Sequence, residues 1–188
     1  MIDDTLPFGS GEYFCCFFLL LFARGMDFLS TWVATPNLVL EGNPLARKLG
    51  WKWGGLANLA MCFIFAFWPL TAIIIMVAGL LVAAHNFRSA WLMRSMGEAA
   101  YRDWFLERME STRLSFYFAC LCGETILTGL PGLALILFCD AGSIPFAIGY
   151  GIVAYAGIVL FYTSLSLWRL RRREDKKDPC IIPDNLNF

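Results

Sequence analysis

Arg24, Asp27 and Thr31 follow one another at i, i+3 and i+7 inside an apolar run, with Ser30 beside them, so a helix would place them on one face. A charged side chain at the centre of a bilayer costs about 2.5–3.5 kcal/mol on insertion scales, so such residues are paired or functional. The loop after this run carries Glu41 and Asn43, and a later apolar run carries His85, Asn86 and Arg88. His85 is the only histidine in the chain. Asp27, Glu41 and His85 would together make an O,O,N set suited to a divalent metal such as zinc, manganese or iron, or an acid–base set. Thr31, Asn43, Asn86 and Arg88 would then contact substrate, Arg88 taking an anionic group. The competing reading is architectural. Arg24 and Asp27 neutralise each other, Ser30 or Thr31 bonds a neighbouring helix, and a lone histidine is a hydrogen-bonded structural group. Asn58 adds a polar group at the same level. Glu124, with Thr125 and Thr128, reads either as a hydrogen-bonded helix contact or as a proton-carrying group.

The elements that must position these residues are membrane helices. The chain has 188 residues, 59% of them hydrophobic, and a mean hydropathy of +0.61. Soluble domains sit near about 45–50%. At about 20 residues per crossing, the apolar runs predict five transmembrane helices, over about 13–35, 51–67, 69–93, 114–138 and 146–168. Pro36 ends the first, because the residue before a proline avoids the helical region. Trp68-Pro69 divides the long run from Trp51 to Met93, proline suiting the first turn of a new helix. Gly129-Leu130-Pro131-Gly132 predicts a kink in the fourth span. Residues 97–113 are charged but periodic: Tyr101, Trp104, Phe105 and Met109 fall at i, i+3, i+4 and i+8. They predict an amphipathic helix on the cytoplasmic membrane surface, or one packed on a partner. The expected fold is all-α, a polytopic membrane domain over residues 1–170 with a cytoplasmic tail over 171–188.

Basic residues set the orientation. They follow the first span (Arg47, Lys48, Lys52), the third (Arg94, Arg102, Arg108, Arg113) and the fifth (Arg169, Arg171, Arg172, Arg173, Lys176, Lys177). The N-terminal segment, the Trp68-Pro69 turn and the turn at 140–145 have none. Five crossings put every basic segment on one side, whereas four would divide them. The expectation is an inner (plasma) membrane protein with its N-terminus outside and its C-terminus in the cytoplasm. Asp3, Asp4 and Glu12 before the first run are unlike the basic start of a secretory signal.

Formal net charge is zero, which argues against nucleic acid as a partner. The seven cysteines form no C-x-x-C, and most lie in apolar runs as small hydrophobes; a pairing of Cys15 or Cys16 with Cys139 is the one disulfide the layout suggests. G-x-S-x-G, H-E-x-x-H, Walker A and dinucleotide-binding glycine patterns are absent, and a single histidine excludes bis-histidine haem within the chain.

Asp27, Ser30 and Thr31, then Glu41, Asn43 and Pro44, then Lys52, resemble the signature of a family of small, uncharacterised prokaryotic polytopic membrane proteins, roughly Asp-x-x-Ser/Thr-Thr followed by Glu-x-Asn-Pro. The resemblance covers about the first half of the chain and implies a membrane helical fold. Three functions are compatible with these residues: a non-catalytic accessory or scaffold subunit of a membrane complex; a small metal-assisted intramembrane hydrolase or transferase acting on a lipid or peptide; and an oligomeric proton-coupled carrier using Glu124. The partners expected are the lipid bilayer, other membrane subunits or further copies of the chain.

Overall fold

The computed structural model describes residues 4–40 and 44–174, without the side chains of 44, 45, 110 and 169–174. Every regular element among them is a helix: α1 (Gly11–Ala34), α2 (Pro44–Phe65), α3 (Pro69–Met96), α4 (Glu98–Ser111), α5 (Leu114–Phe138) and α6 (Ile144–Glu174). Four segments are long and apolar enough to cross a membrane, namely α1, α3, α5 and the Ile144–Trp168 part of α6. The chain is an all-α membrane protein.

The second expected span does not reach that standard. Gly50, at φ 66°, breaks α2 and leaves residues 51–65 as its straight part. That part is about 15 residues, or roughly 22 Å, against a hydrocarbon core of about 30 Å. It nevertheless runs the depth of α1 in the opposite direction. Trp51 donates its indole N–H to Pro36 O near the end of α1, and Tyr13 near the start donates to Phe63 O at 3.2 Å.

Local signals account for the helix ends. Ser10 caps α1, its hydroxyl accepting from the Tyr13 N–H. Pro69 sits in the first turn of α3. Gly97, at φ 83°, takes a conformation side chains avoid and turns the chain from α3 into α4. The expected boundaries of the fourth span coincide with α5, which continues as one helix through Pro131.

Helix directions follow from the contacts. Tyr13 clusters with Ala72, Ala23 lies beside Gly79, and Ser30 meets Asn86, so α1 and α3 are parallel. Gly132 faces Gly149 and Gly129 faces Ala156, so α5 and α6 are antiparallel. Gly151 lies on Val77 and Tyr155 lies beside His85, so α6 runs with α3. α3 is therefore sandwiched between α1 and α6, with α2 flanking α1 and α5 flanking α6. One apolar cluster, Tyr13, Leu20, Cys62, Ala66 and Ala72, closes the α1–α2–α3 side at its N-terminal end. A second, Ala78, Leu121, Tyr155 and Val159, closes the α3–α5–α6 side. Much of the outer surface is apolar, including Phe116, Leu127, Leu137 and Phe138 on α5, as expected of a lipid-facing wall. No disulfide joins the described cysteines; Cys62 is buried in the first cluster, and Cys180 lies outside the described residues.

Candidate functional site

The polar residues of α1 are used on its neighbours. Arg24 Nη1 lies 2.9 Å from Asp27 Oδ2, and Arg24 Nε donates to Asn58 Oδ1 of α2 at 2.6 Å. Asn58 in turn donates to the Gly54 carbonyl one turn back. Ser30 is fully buried and donates to the Asp27 carbonyl. From α3, the Asn86 amide donates to Ser30 Oγ at 3.3 Å and reaches Thr31 Oγ1 at 3.5 Å. Thr31 and Asn86 thus belong to one layer of interhelical polar contacts with Ser30, while Asp27 is engaged within α1 by Arg24 and Ser30.

His85 turns to the other side of α3. Its Nδ1 lies 3.6 Å from Glu124 Oε1 on α5, and its ring lies against Tyr155 of α6. Successive positions on α3 are about 100° apart around the axis, so Asn86 meets Ser30 and Thr31 of α1 while His85 meets α5 and α6, and Asp27 and His85 share no partner. Glu41 and Asn43, the remaining expected ligand and contact, lie outside the described residues. Among the described residues no three histidine, cysteine, aspartate or glutamate side chains converge on a point that could hold a metal ion. Arg88 and Ser89 join His85 and Glu124, with Trp91 and Leu92, around a shallow groove of about 380 Å³ between α3 and α5.

A third polar centre was not expected from the sequence. Glu98, the first residue of α4, inserts its carboxylate into the loop after α1. Its Oε1 accepts from the Asn37 backbone N–H at 2.8 Å and from the Asn37 side-chain amide at 3.0 Å. Its Oε2 accepts from the Thr35 hydroxyl at 2.8 Å and the Val39 N–H at 3.0 Å. Leu38, at φ 57°, takes the left-handed conformation that turns the flanking N–H groups inward. Burial pushes the Glu98 carboxyl up, but the hydrogen bonds from Asn37, Thr35 and Val39 outweigh it and hold the pKa below the usual glutamate value. Because the folded-state pKa is lowered, the stabilisation is present above the ordinary carboxylate range and is lost as pH falls through the lowered value. Glu98→Gln should cost about 1 kcal/mol at neutral pH, a modest figure because the group is partly solvated. The unfolding temperature of the wild type should fall on acidification from about pH 7 to about pH 3 more steeply than that of Glu98→Gln. Parallel acid profiles would show that the carboxylate is not what fastens this loop.

Around α4 the side chains sort as the periodicity predicts. Tyr101, Trp104, Phe105 and Met109 are half-buried, with Tyr101 against both Trp104 and Phe105, while Arg102, Asp103, Glu107 and Arg108 are exposed. Arg94 of α3 lies over the Trp32 ring of α1 at 5.9 Å, a further tie between these two helices near the same end of the bundle.

Comparison of the chain with models of protein families, with curated protein sequences and with solved structures finds no match in any of the three.

Proposed function

We infer that the protein is a non-catalytic scaffold or accessory subunit of a membrane complex. The observation that carries this reading is the way the intramembrane polar groups of α1 are taken up by α2 and α3: Arg24, paired with Asp27 on its own helix, by Asn58, and Ser30 and Thr31 by Asn86. Groups so paired join helices rather than turn over a substrate. The topology that fits the parallel α1 and α3 has five crossings, with the short straight part of α2 returning the chain between them. By the distribution of lysine and arginine, the N-terminus lies outside, and the α1–α2 loop, α4 and the tail lie in the cytoplasm. α4 then rests on the cytoplasmic surface of the inner membrane, fastened to the α1–α2 loop by Glu98. The residues of the Asp-x-x-Ser/Thr-Thr signature read, in this scheme, as the joint between the first helix and its two neighbours.

The test is crosslinking in intact native membranes followed by purification. A scaffold should carry one or more membrane proteins at fixed stoichiometry. Recovery of the chain alone after crosslinking would overturn the reading.

A second reading, a small intramembrane hydrolase or transferase, is favoured by one observation. His85 and Glu124, an imidazole and a carboxylate 3.6 Å apart, line one groove between α3 and α5, residue types that serve as general acid and base. Loss of a cellular phenotype in both His85→Ala and Asp27→Ala, with a stoichiometric divalent metal in protein purified without a histidine tag, would favour this reading over the scaffold.

A further inference from the structure

We propose that a second copy of this chain packs against the groove between α3 and α5, related to the first by a two-fold axis along the membrane normal, with Arg88 of each copy paired to Glu124 of the other. The inference stands apart from the scaffold reading, whose clients are other proteins, and rests on the charges and the exposure pattern of the groove.

α3 is the central helix of the bundle, and over residues 69–83 none of its positions is exposed. Beyond that point Ala84, Arg88, Trp91 and Ser95 are exposed, at spacings of four, three and four, which is one face of a helix. Arg88 and Trp91 of this face line the groove together with Glu124 of α5. On α5, Cys120 and Leu127 are exposed one turn to either side of Glu124. The central helix is thus left bare only in the half nearest α4, and there it carries a charge.

Charge identifies the occupant. Arg88 is exposed and has no hydrogen bond or ion pair with another described residue. Glu124 has a side chain 40% exposed and stands 3.6 Å from His85, beyond hydrogen-bond length, so its carboxylate keeps acceptor capacity. Cation and anion line one groove without forming an ion pair within the chain. Both lie inside the apolar helices: Arg88 about 12 Å before the end of α3, and Glu124 about 15 Å after the start of α5. Lipid tails hold no counter-ion for either. Insertion has already taken both groups out of water, so the desolvation that weakens a buried ion pair in a soluble protein is not incurred again on pairing.

A second copy supplies the opposite charge at the right depth. Copies of one chain insert in one orientation, so a two-fold relating them lies along the normal and preserves level. Such an axis sets α5 of each copy against α3 of the other, and the contact is self-complementary, one cation–anion pair made twice. The two residues differ in depth by less than about one turn, a span that the long arginine stem covers. Trp91, 69% exposed, and Leu127, 74% exposed, supply apolar surface around the pair. An unrelated membrane protein would need both charges at this spacing and depth, whereas a second copy has them by symmetry.

The test uses two differently tagged full-length copies, co-expressed, extracted in mild detergent and captured through one tag, with the other tag counted. Wild-type copies should be captured together, and native mass spectrometry should find two chains. Arg88→Glu expressed with itself, or Glu124→Arg with itself, sets like charges against each other and should lower capture about tenfold or more. Arg88→Glu expressed with Glu124→Arg should restore it, because two carboxylates of one copy then face two guanidinium groups of the other. A pair made within one chain would be restored in the double variant Arg88→Glu/Glu124→Arg but not in the mixed expression, and that result would overturn the proposal. So would wild-type copies that are not captured together, or an assembly of three or more chains. Far-ultraviolet circular dichroism and the unfolding temperature verify that each variant is folded. Should charge reversal prevent insertion, Arg88→Gln and Glu124→Gln take its place. Each should weaken capture several-fold and the two together no more than either alone, since one contact has lost both ends; additive losses would overturn the pairing.

Discussion

Arg24→Ala should destabilise the bundle by about 3–5 kcal/mol, the cost of leaving a desolvated charge without its counter-ion. The Asp27 side chain is only 16% exposed, and its carboxylate has Arg24 at 2.9 Å. The same substitution takes from Asn58 Oδ1 the Arg24 Nε donor at 2.6 Å that helps hold α2 to α1, leaving the Asn58 amide on the Gly54 carbonyl. It also opens space beside Gly79, where the guanidinium and the stem of Arg24 pack. The double variant Arg24→Met/Asp27→Leu separates charge from packing. It removes both ions and keeps apolar volume, so it should recover most of the loss, replacement of a buried pair by hydrophobic residues being commonly neutral or better. Unfolding of purified protein in detergent micelles, followed by tryptophan fluorescence, gives the comparison. A double variant as unstable as Arg24→Ala would mean that Arg24 acts through its contact with Asn58, and that the ion pair contributes little.

The comparison of these residues with the sequence reading shows which inferences carry. Helix limits were legible because proline and glycine punctuate the apolar runs: Pro36, Pro69 and Gly97 each stand at an end that the structure has. The parallel course of the helices holding Asp27 and His85 was also legible, from the placement of basic residues alone. What depth could not supply was azimuth. Asp27 and His85 lie at comparable levels, yet α3 stands between them, and the residue that faces α1 is Asn86. The partner of His85 could have been found by counting from the shared turn. His85 and Glu124 are each about ten residues from the α4 segment that joins their helices, so two antiparallel neighbours bring them level. Glu98 gave no such signal. A glutamate in the first turn of a helix is ordinary, and its role depends on a loop 59 to 63 positions earlier in the chain, shaped by a left-handed leucine. The break at Gly50 falls where the second span was expected to begin, at Trp51; the helix that precedes it from Pro44 was hidden, because Asn43, Pro44 and Gly50 all read as turn formers.

Gly149→Ala should be the most damaging change of one methyl group in the chain, because the α5–α6 seam has no room for it. A Cβ at Gly149 would stand 2.7 Å from the Gly132 carbonyl oxygen, 2.9 Å from Leu135 Cβ and 3.1 Å from Ile136 Cγ1. From the opposite helix, a Cβ at Gly132 would stand 2.8 Å from the Gly149 carbonyl oxygen and 2.8 Å from Ile152 Cβ. The obstruction in both directions is backbone, so a rotamer change cannot relieve it and the helices must separate. In a bilayer, where tails and side chains are equally apolar, close backbone approach is itself a main source of helix association. Overpacking at such a seam costs about 1–3 kcal/mol or more. Gly157→Ala, on the same helix with no atom within 4 Å of the added carbon, is the control and should be neutral or slightly stabilising through helix propensity. Gly132→Ala combined with Ile152→Ala leaves both the carbonyl and the Cβ of position 152 in place, so it should recover little of the loss. The same separation would draw Glu124 on α5 away from His85 on α3, since α6 packs against both helices and sets their spacing. Gly149→Ala should therefore lower the unfolding temperature, and a variant that unfolds at the wild-type temperature would show that the glycine contact does not hold this half of the bundle.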